Sequence, residues 1–258
     1  VCVVDGGSTD GTWEKLVELS RMNEKLKIKQ VIRDWQHPRH AVFDGAQKAE
    51  ARAMCTGDMC WQMDSDEIVH ENDAPKIIEL ASQVPNGVDV LSLPVIEYWG
   101  GPDKVRVDIQ PWKWRLSRNA PHITHGIPVD LRRTDTNGDV YALEGTDGCD
   151  MIHKETGERI GHVTFHNSES EGARRAALSG NPQALAMYQD WFNQVITNLP
   201  GVHHYSWYDI PRKIRLYRDY WTRHWNSLYD KSLEDTAATN MMFDVPWSQV
   251  TEEMIEAR

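Results

Sequence analysis

Two aspartates separated by one residue, Asp64 and Asp66 in Trp61-Gln62-Met63-Asp64-Ser65-Asp66-Glu67, are the pair in this chain best suited to hold a hard cation. Read as the tip of an apolar strand, the segment projects both carboxylates on one side, because strand side chains alternate. Such a pair suits Mg²⁺ or Mn²⁺, which take one or two carboxylates and leave their other positions to water and phosphate. Glu67 extends the motif to Asp-Ser-Asp-Glu and offers a further ligand or an orienting group. A second segment, Val3-Val4-Asp5-Gly6-Gly7-Ser8-Thr9-Asp10-Gly11-Thr12, is an apolar strand running into a Gly/Ser/Asp turn that opens a helix. No Lys-Ser/Thr follows its glycines, so they form a tight turn and not a phosphate-binding P-loop.

Alternating strands and helices position these residues up to about Tyr98. Val1–Val4 reads as a strand, followed by a helix with Trp13, Leu16, Val17 and Leu19 inward. Lys27–Ile32 is a second strand, and a helical run through Ala46, Ala49, Ala53 and Met54 leads to the strand Met59–Met63. Asn72, Asp73 and Pro75 open another helix, and Val88–Val95 is an apolar strand. This alternation implies an α/β fold with a mostly parallel, Rossmann-like sheet flanked by helices. Ligands on such sheets bind beyond the carboxyl ends of the strands, where both motifs lie. Residues 101–170 are loop-rich, with a strand at Pro111–Leu116, and long irregular stretches tend to be functional. Residues 171–258 read as a helical C-terminal extension: a helix over Ala173–Ile196 interrupted near Asn181-Pro182, then an amphipathic run through Ile210, Ile214, Tyr217, Trp221, Trp225 and Leu228.

The 258 residues suit one α/β domain with an extension. A net charge of −11 excludes the basic footprint of a general nucleic-acid binder, though not a nucleotide ligand whose diphosphate a metal and a few arginines neutralise. No stretch approaches the ~20 apolar residues that cross a bilayer. The basic side of the last amphipathic run, with Arg212, Lys213, Arg215, Arg218 and Arg223, suits either a solvated face or contact with an anionic membrane surface. Cys2, Cys55, Cys60 and Cys149 lack zinc-site spacing and read as reduced thiols of a cytoplasmic protein.

Taken in order, the two acidic segments resemble family 2 glycosyltransferases of the GT-A type: the first matches that family's "V-D-x-G-S-x-D-G-T" turn and the second its "D-x-D". The resemblance implies transfer of a sugar from a UDP- or GDP-sugar to an acceptor hydroxyl, with inversion and with Mn²⁺ or Mg²⁺ as cofactor. It also implies a further strand ahead of Val1, where members carry a "P-x-Y-N-E"-like segment. It divides the chain into a nucleotide-sugar-binding half (1–100), an acceptor-side half (101–170) and the extension (171–258). The acceptor is left open among carbohydrate, lipid-linked and protein hydroxyls.

On this resemblance Asp5 meets the nucleoside, although Gly6 stands where many members have a second Asp. Asp10 approaches the ligand or caps the first helix. Arg52, in Ala51-Arg52-Ala53, takes the place of the family's "A-R-N" segment and reaches the diphosphate or positions the Asp-x-Asp loop. Asp66 ligates the metal, Asp64 contacts the donor ribose or the metal through water, and Ser65 lies between them at the donor. His204, in His204-Tyr205-Ser206-Trp207, matches the family's "H-Y-S" segment and is the first choice to complete the metal shell; His166 is the second. His125 falls where relatives place acceptor residues. An inverting transferase also needs a carboxylate to deprotonate the acceptor. Asp147, between Thr146 and Gly148, is the preferred base, with Asp130 and Asp150 as alternatives. Trp99, Trp112 and Trp114 could stack on a sugar face. Two other readings share the scaffold: a sugar-nucleotide nucleotidyltransferase, which would want a basic Gly-rich loop, and a non-catalytic carbohydrate- or nucleotide-binding module.

Overall fold

The computed structural model describes residues 1–33, 40–84, 90–106, 112–120, 133–135, 138–140, 149–152, 159–163, 179–221, 242–243 and 245–257. Strand β1 (Cys2–Asp5) leads into helix α1 (Thr12–Met22), and β2 (Lys27–Gln30) returns parallel to β1 with Asp5 opposite Gln30. Helix α2 (His40–Ala53) precedes β3 (Met59–Trp61), a turn, and β4 (Glu67–Val69). Helix α3 (Ala74–Ser82) has Pro75 in its first turn, where a missing N–H costs nothing. The long β5 (Val90–Trp99) and β6 (Trp112–Arg118) follow. Two short antiparallel pairs come next: β7 (Arg133–Asp135) with β8 (Gly138–Val140), and β9 (Cys149–Ile152) with β10 (Arg159–Val163). The chain continues through α4 (Pro182–Asn198), β11 (Val202–Trp207), α5 (Ile210–Leu216) with a π-helical turn over Tyr217–Trp221, and α6 (Glu252–Glu256).

The central sheet has five strands in the order β3-β6-β5-β11-β4. Its pairing is mixed, not mostly parallel: β11 runs parallel to β5, whereas β3–β6, β5–β6 and β11–β4 are antiparallel. The departure comes from two segments absent from a simple strand-helix alternation. Strand β6 folds back on β5, and β4 is a separate short strand that runs against β11.

Nor is the C-terminal third purely helical. The apolar segment Val202–Trp207 inserts between β5 and β4, with Val202 fully buried. Ile77 of α3 packs with Leu93, Val95, Leu116 and Val202 into one core, so the late strand closes the centre of the sheet. A second core gathers Trp207, Ile214, Trp247, Val250 and Ile255. It fixes α5 and α6 against the Trp207 end of β11, three residues beyond His204. Helix α4 starts at Pro182 because the Asn181 side chain accepts the N–H groups of Gln183 and Ala184.

Candidate active site

Asp64 and Asp66 sit in the turn between β3 and β4, not on a strand tip. The Glu67 N–H donates to the Asp64 carbonyl across this turn at 3.1 Å. Strand alternation therefore does not govern the two carboxylates, and they meet different partners. Asp64 lies between two cations, Lys48 Nζ at 3.1 Å and Arg115 Nη2 at 3.4 Å. Its own N–H donates to Glu67 Oε2 at 3.0 Å. Arg115 also donates to Glu67 Oε1, and this pair is enclosed, with side chains 3% and 0% exposed. Glu67 is thus spent on holding the turn, which removes it as a candidate metal ligand.

Asp66 faces the other way. Its side chain is 44% exposed and its Oδ2 lies 3.4 Å from His204 Nε2. Strand β11 brings the histidine there, and the Tyr205 N–H donates to the Asp66 carbonyl at 2.9 Å, tying strand and turn together. On its far side His204 Nδ1 lies 3.7 Å from Glu97 Oε2 of β5, and Glu97 Oε1 is 3.6 Å from Arg106 Nη1. The register explains the row, since His204 is paired with Glu67 on β4 and Glu97 on β5. The adjacent His203 points to the opposite face, where Nδ1 and the Tyr98 hydroxyl are 2.9 Å apart. Alternation thereby distinguishes the two tandem histidines.

The charges reinforce one another. Burial works against the His204 cation, but Asp66 and Glu97 override it and push the imidazole pKa up to about 9. Burial likewise works against the Asp66 carboxylate, yet the hydrogen bond and charge of His204, with help from Lys213, bring it down to about 2. Lys213 of α5 is itself lowered by burial, with Asp66 and Glu97 opposing that trend. Its ammonium reaches the Ser206 hydroxyl and lies over the rings of Trp207 and Tyr217. Arg106 sits over Trp99 and Trp207, at 5.3 and 5.2 Å from the ring centroids.

Among the described residues no three His, Cys, Asp or Glu side chains form a ready-made metal cluster. The donor set still fits a hard divalent ion. Asp66 and His204 supply an oxygen and a nitrogen 3.4 Å apart on a partly exposed edge, and such ions complete their shell with water and phosphate.

Several expected contacts are occupied within the protein. Asp5 is buried and accepts hydrogen bonds from the Gly7 and Ser8 N–H groups at 3.0 and 3.1 Å, the Ser8 hydroxyl at 2.5 Å and Gln30 Nε2 at 2.8 Å. Burial raises its pKa, and these donors more than offset that, leaving the carboxyl below its usual range. Gly6 leaves room that the Arg33 side chain fills, as a Cβ there would lie 3.4 Å from Arg33 Cβ. Asp10 is not the helix cap; Gly11 is, at φ 91°, and the Asp10 carboxylate accepts the Thr12 N–H and hydroxyl at 3.1 and 2.6 Å. Arg52 does not join the acidic turn. Its guanidinium donates to the Ser117 hydroxyl at 2.7 Å and to the Arg118 carbonyl, clamping α2 to β6. Ser65 is exposed in the turn. Trp99 stacks on Trp207 at 5.0 Å and belongs to the second core, which withdraws it as a sugar platform. Asp147, His166, His125 and Asp130 lie outside the described residues; Asp150 is on β9.

Four residues that the sequence reading did not single out stand in or behind the site: Lys48, Arg115, Glu97 and Lys213. Lys48 carries a usable signal, because it lies one turn before Arg52 on the same face of α2. Glu97 is the one charge in the mostly apolar strand β5, a pattern that marks a buried, paired group; Arg115 shares β6 with Lys113 and Arg118 and gives no such signal. Lys213 gives no such signal. Of the basic face expected on the last helix, Lys213 turns inward, Arg215 and Arg218 pair with Glu252 at 2.9 and 2.8 Å, Arg212 is exposed, and Arg223 lies outside the described residues. No helix of the described residues is long and apolar enough to cross a membrane.

Residues 1–120 match the sequence profile of glycosyl transferase family 2. No curated protein matches the chain. Among solved structures, a crystal structure of S. aureus TarS covering its residues 1–349 is similar to 93% of this chain, at 16% identity and a TM-score of 0.30. This chain spans 65% of that one. Over residues 1–120, this chain is therefore similar to glycosyl transferase family 2.

Proposed function

We propose that this protein transfers a sugar from a UDP- or GDP-sugar to an acceptor hydroxyl, with inversion, and that it depends on Mn²⁺ or Mg²⁺ held by Asp66 and His204. The observation that carries the proposal is the meeting of Asp66 Oδ2 and His204 Nε2 at 3.4 Å on a partly exposed edge of a chain similar to family 2. A divalent ion bound there would neutralise the departing nucleoside diphosphate.

The remaining roles belong to the protein. Lys213 and Arg106 add positive charge beside this edge, which favours an anionic donor. Asp64, held between Lys48 and Arg115, fixes the shape of the turn and faces the donor ribose. Asp5 orders the turn after β1 on the nucleoside side. Asp147 is assigned as the base: it accepts the acceptor hydroxyl proton as the new carbon–oxygen bond forms and the bond to the diphosphate breaks. Hydrolysis of a panel of nucleotide sugars, measured with Mn²⁺ and with EDTA, tests the reading. Metal-dependent release of UDP or GDP is expected, and full turnover in EDTA would refute it.

A further inference from the structure

Glu97 is a buried carboxylate that the proposed transfer does not use. It stands in register with His204 on the neighbouring strand β5, with its side chain 8% exposed. One oxygen lies 3.7 Å from His204 Nδ1 and the other 3.6 Å from Arg106 Nη1. Arg106 is in turn seated over Trp99 and Trp207, which stack on each other. A buried carboxylate is costly unless paired, and this one is flanked by an imidazole and by a guanidinium held on two rings.

We infer that Glu97 is a positioning residue: from behind, it fixes the orientation and tautomer of the His204 ring so that Nε2 presents its lone pair toward the Asp66 edge. The reasoning is geometric. An imidazole has two nitrogens, and a neutral ring can donate from one and accept at the other. Both nitrogens face a carboxylate, Nε2 at 3.4 Å from Asp66 and Nδ1 at 3.7 Å from Glu97, so a cation that engages Asp66 takes the Nε2 lone pair and Glu97 holds the proton on Nδ1. A carboxylate behind a ligating histidine fixes ring orientation and raises ligand basicity. Arg106 keeps Glu97 from rotating away, because its own position is set by the aromatic pair.

The inference rests on the metal reading proposed above, and the test separates the two. Mn²⁺ affinity is measured by electron paramagnetic resonance for wild type, Glu97→Gln, Glu97→Asp and His204→Ala. In parallel, ¹⁵N–¹H couplings of the His204 ring, identified by its loss in His204→Ala, report the tautomer at about pH 10, where the ring is neutral. Glu97→Gln is expected to weaken Mn²⁺ binding about 10- to 100-fold and to abolish the preference for Nδ1–H. Glu97→Asp should recover part of both. Unchanged affinity together with an unchanged tautomer in Glu97→Gln would overturn the inference. If wild type binds no Mn²⁺ through His204, the metal reading fails, and the couplings alone decide: a Nδ1–H preference lost in Glu97→Gln upholds positioning, and one independent of Glu97 refutes it.

Discussion

Asp64 and Asp66 share one short turn, yet the first is clamped between Lys48 and Arg115 above a sealed Glu67, while the second is 44% exposed and faces a histidine delivered by a strand from the far end of the sequence. The contrast shows how one motif divides its work. The Asp64 side resembles a structural ion-pair network, whose members satisfy one another inside the fold. The Asp66 side is an open edge with cations behind it, the arrangement that a charged ligand completes. Identical side chains two residues apart are thus separated by their surroundings.

The largest expected effect comes from breaking the enclosed side. Arg115→Met leaves Glu67 buried without its guanidinium, and loss of one partner of a buried pair costs about 3–5 kcal/mol. Urea denaturation should show that loss; a midpoint near wild type would mean that the turn is not held by this pair. On the open side, Asp66→Ala should lower turnover by about 100-fold or more, with a smaller loss of stability than Arg115→Met because its pair with His204 is partly exposed. A stable variant with full activity would place the ion elsewhere. Arg52→Met should fall between these cases in kind, costing about 1–3 kcal/mol as the Ser117 hydroxyl and Arg118 carbonyl lose their donor. Its donor KM should stay at the wild-type value, and a large rise in KM would return Arg52 to the diphosphate.

The pH dependence sharpens the contrast further. His204 binds its proton more tightly in the folded protein, so its pairing with Asp66 contributes fully below 6.5 and is lost as the pH rises through about 9. Asp66 is displaced in the other direction, and its share is present above 3.8 and lost as the pH falls through about 2. A cation at Nε2 must displace the His204 proton, so Mn²⁺ affinity should climb about tenfold per pH unit from neutrality and level off near 9. Affinity that is flat across this range would remove His204 from the site. The unperturbed histidine value would have placed the fall near 6.5; the two flanking carboxylates move it up.

Local motifs made the acidic turn, the Gly/Asp loop after β1 and the His-Tyr-Ser-Trp segment legible, because each depends on residues close in sequence. Sheet order was not legible in the same way. Nothing in Val202–Trp207 itself announces that it will insert between β5 and β4, since that choice depends on long-range packing of Val202 against Ile77, Leu93, Val95 and Leu116. Arg52 misled for a related reason. A basic residue near the acidic turn looks like a ligand contact until α2 is docked, when Lys48 one turn earlier meets Asp64 and Arg52 meets β6. Which of the tandem histidines meets Asp66 follows only from the strand register, which turns His204 toward Asp66 and His203 toward Tyr98.

The claim at the centre of this account is that Asp66, and not Asp64, holds the cation together with His204. A Mn²⁺ titration followed by electron paramagnetic resonance, run on wild type, Asp66→Asn and Asp64→Asn at one pH, tests it most directly. The account predicts that Asp66→Asn weakens binding by at least about tenfold while Asp64→Asn stays close to wild type. Loss of binding in Asp64→Asn with retention in Asp66→Asn would contradict it.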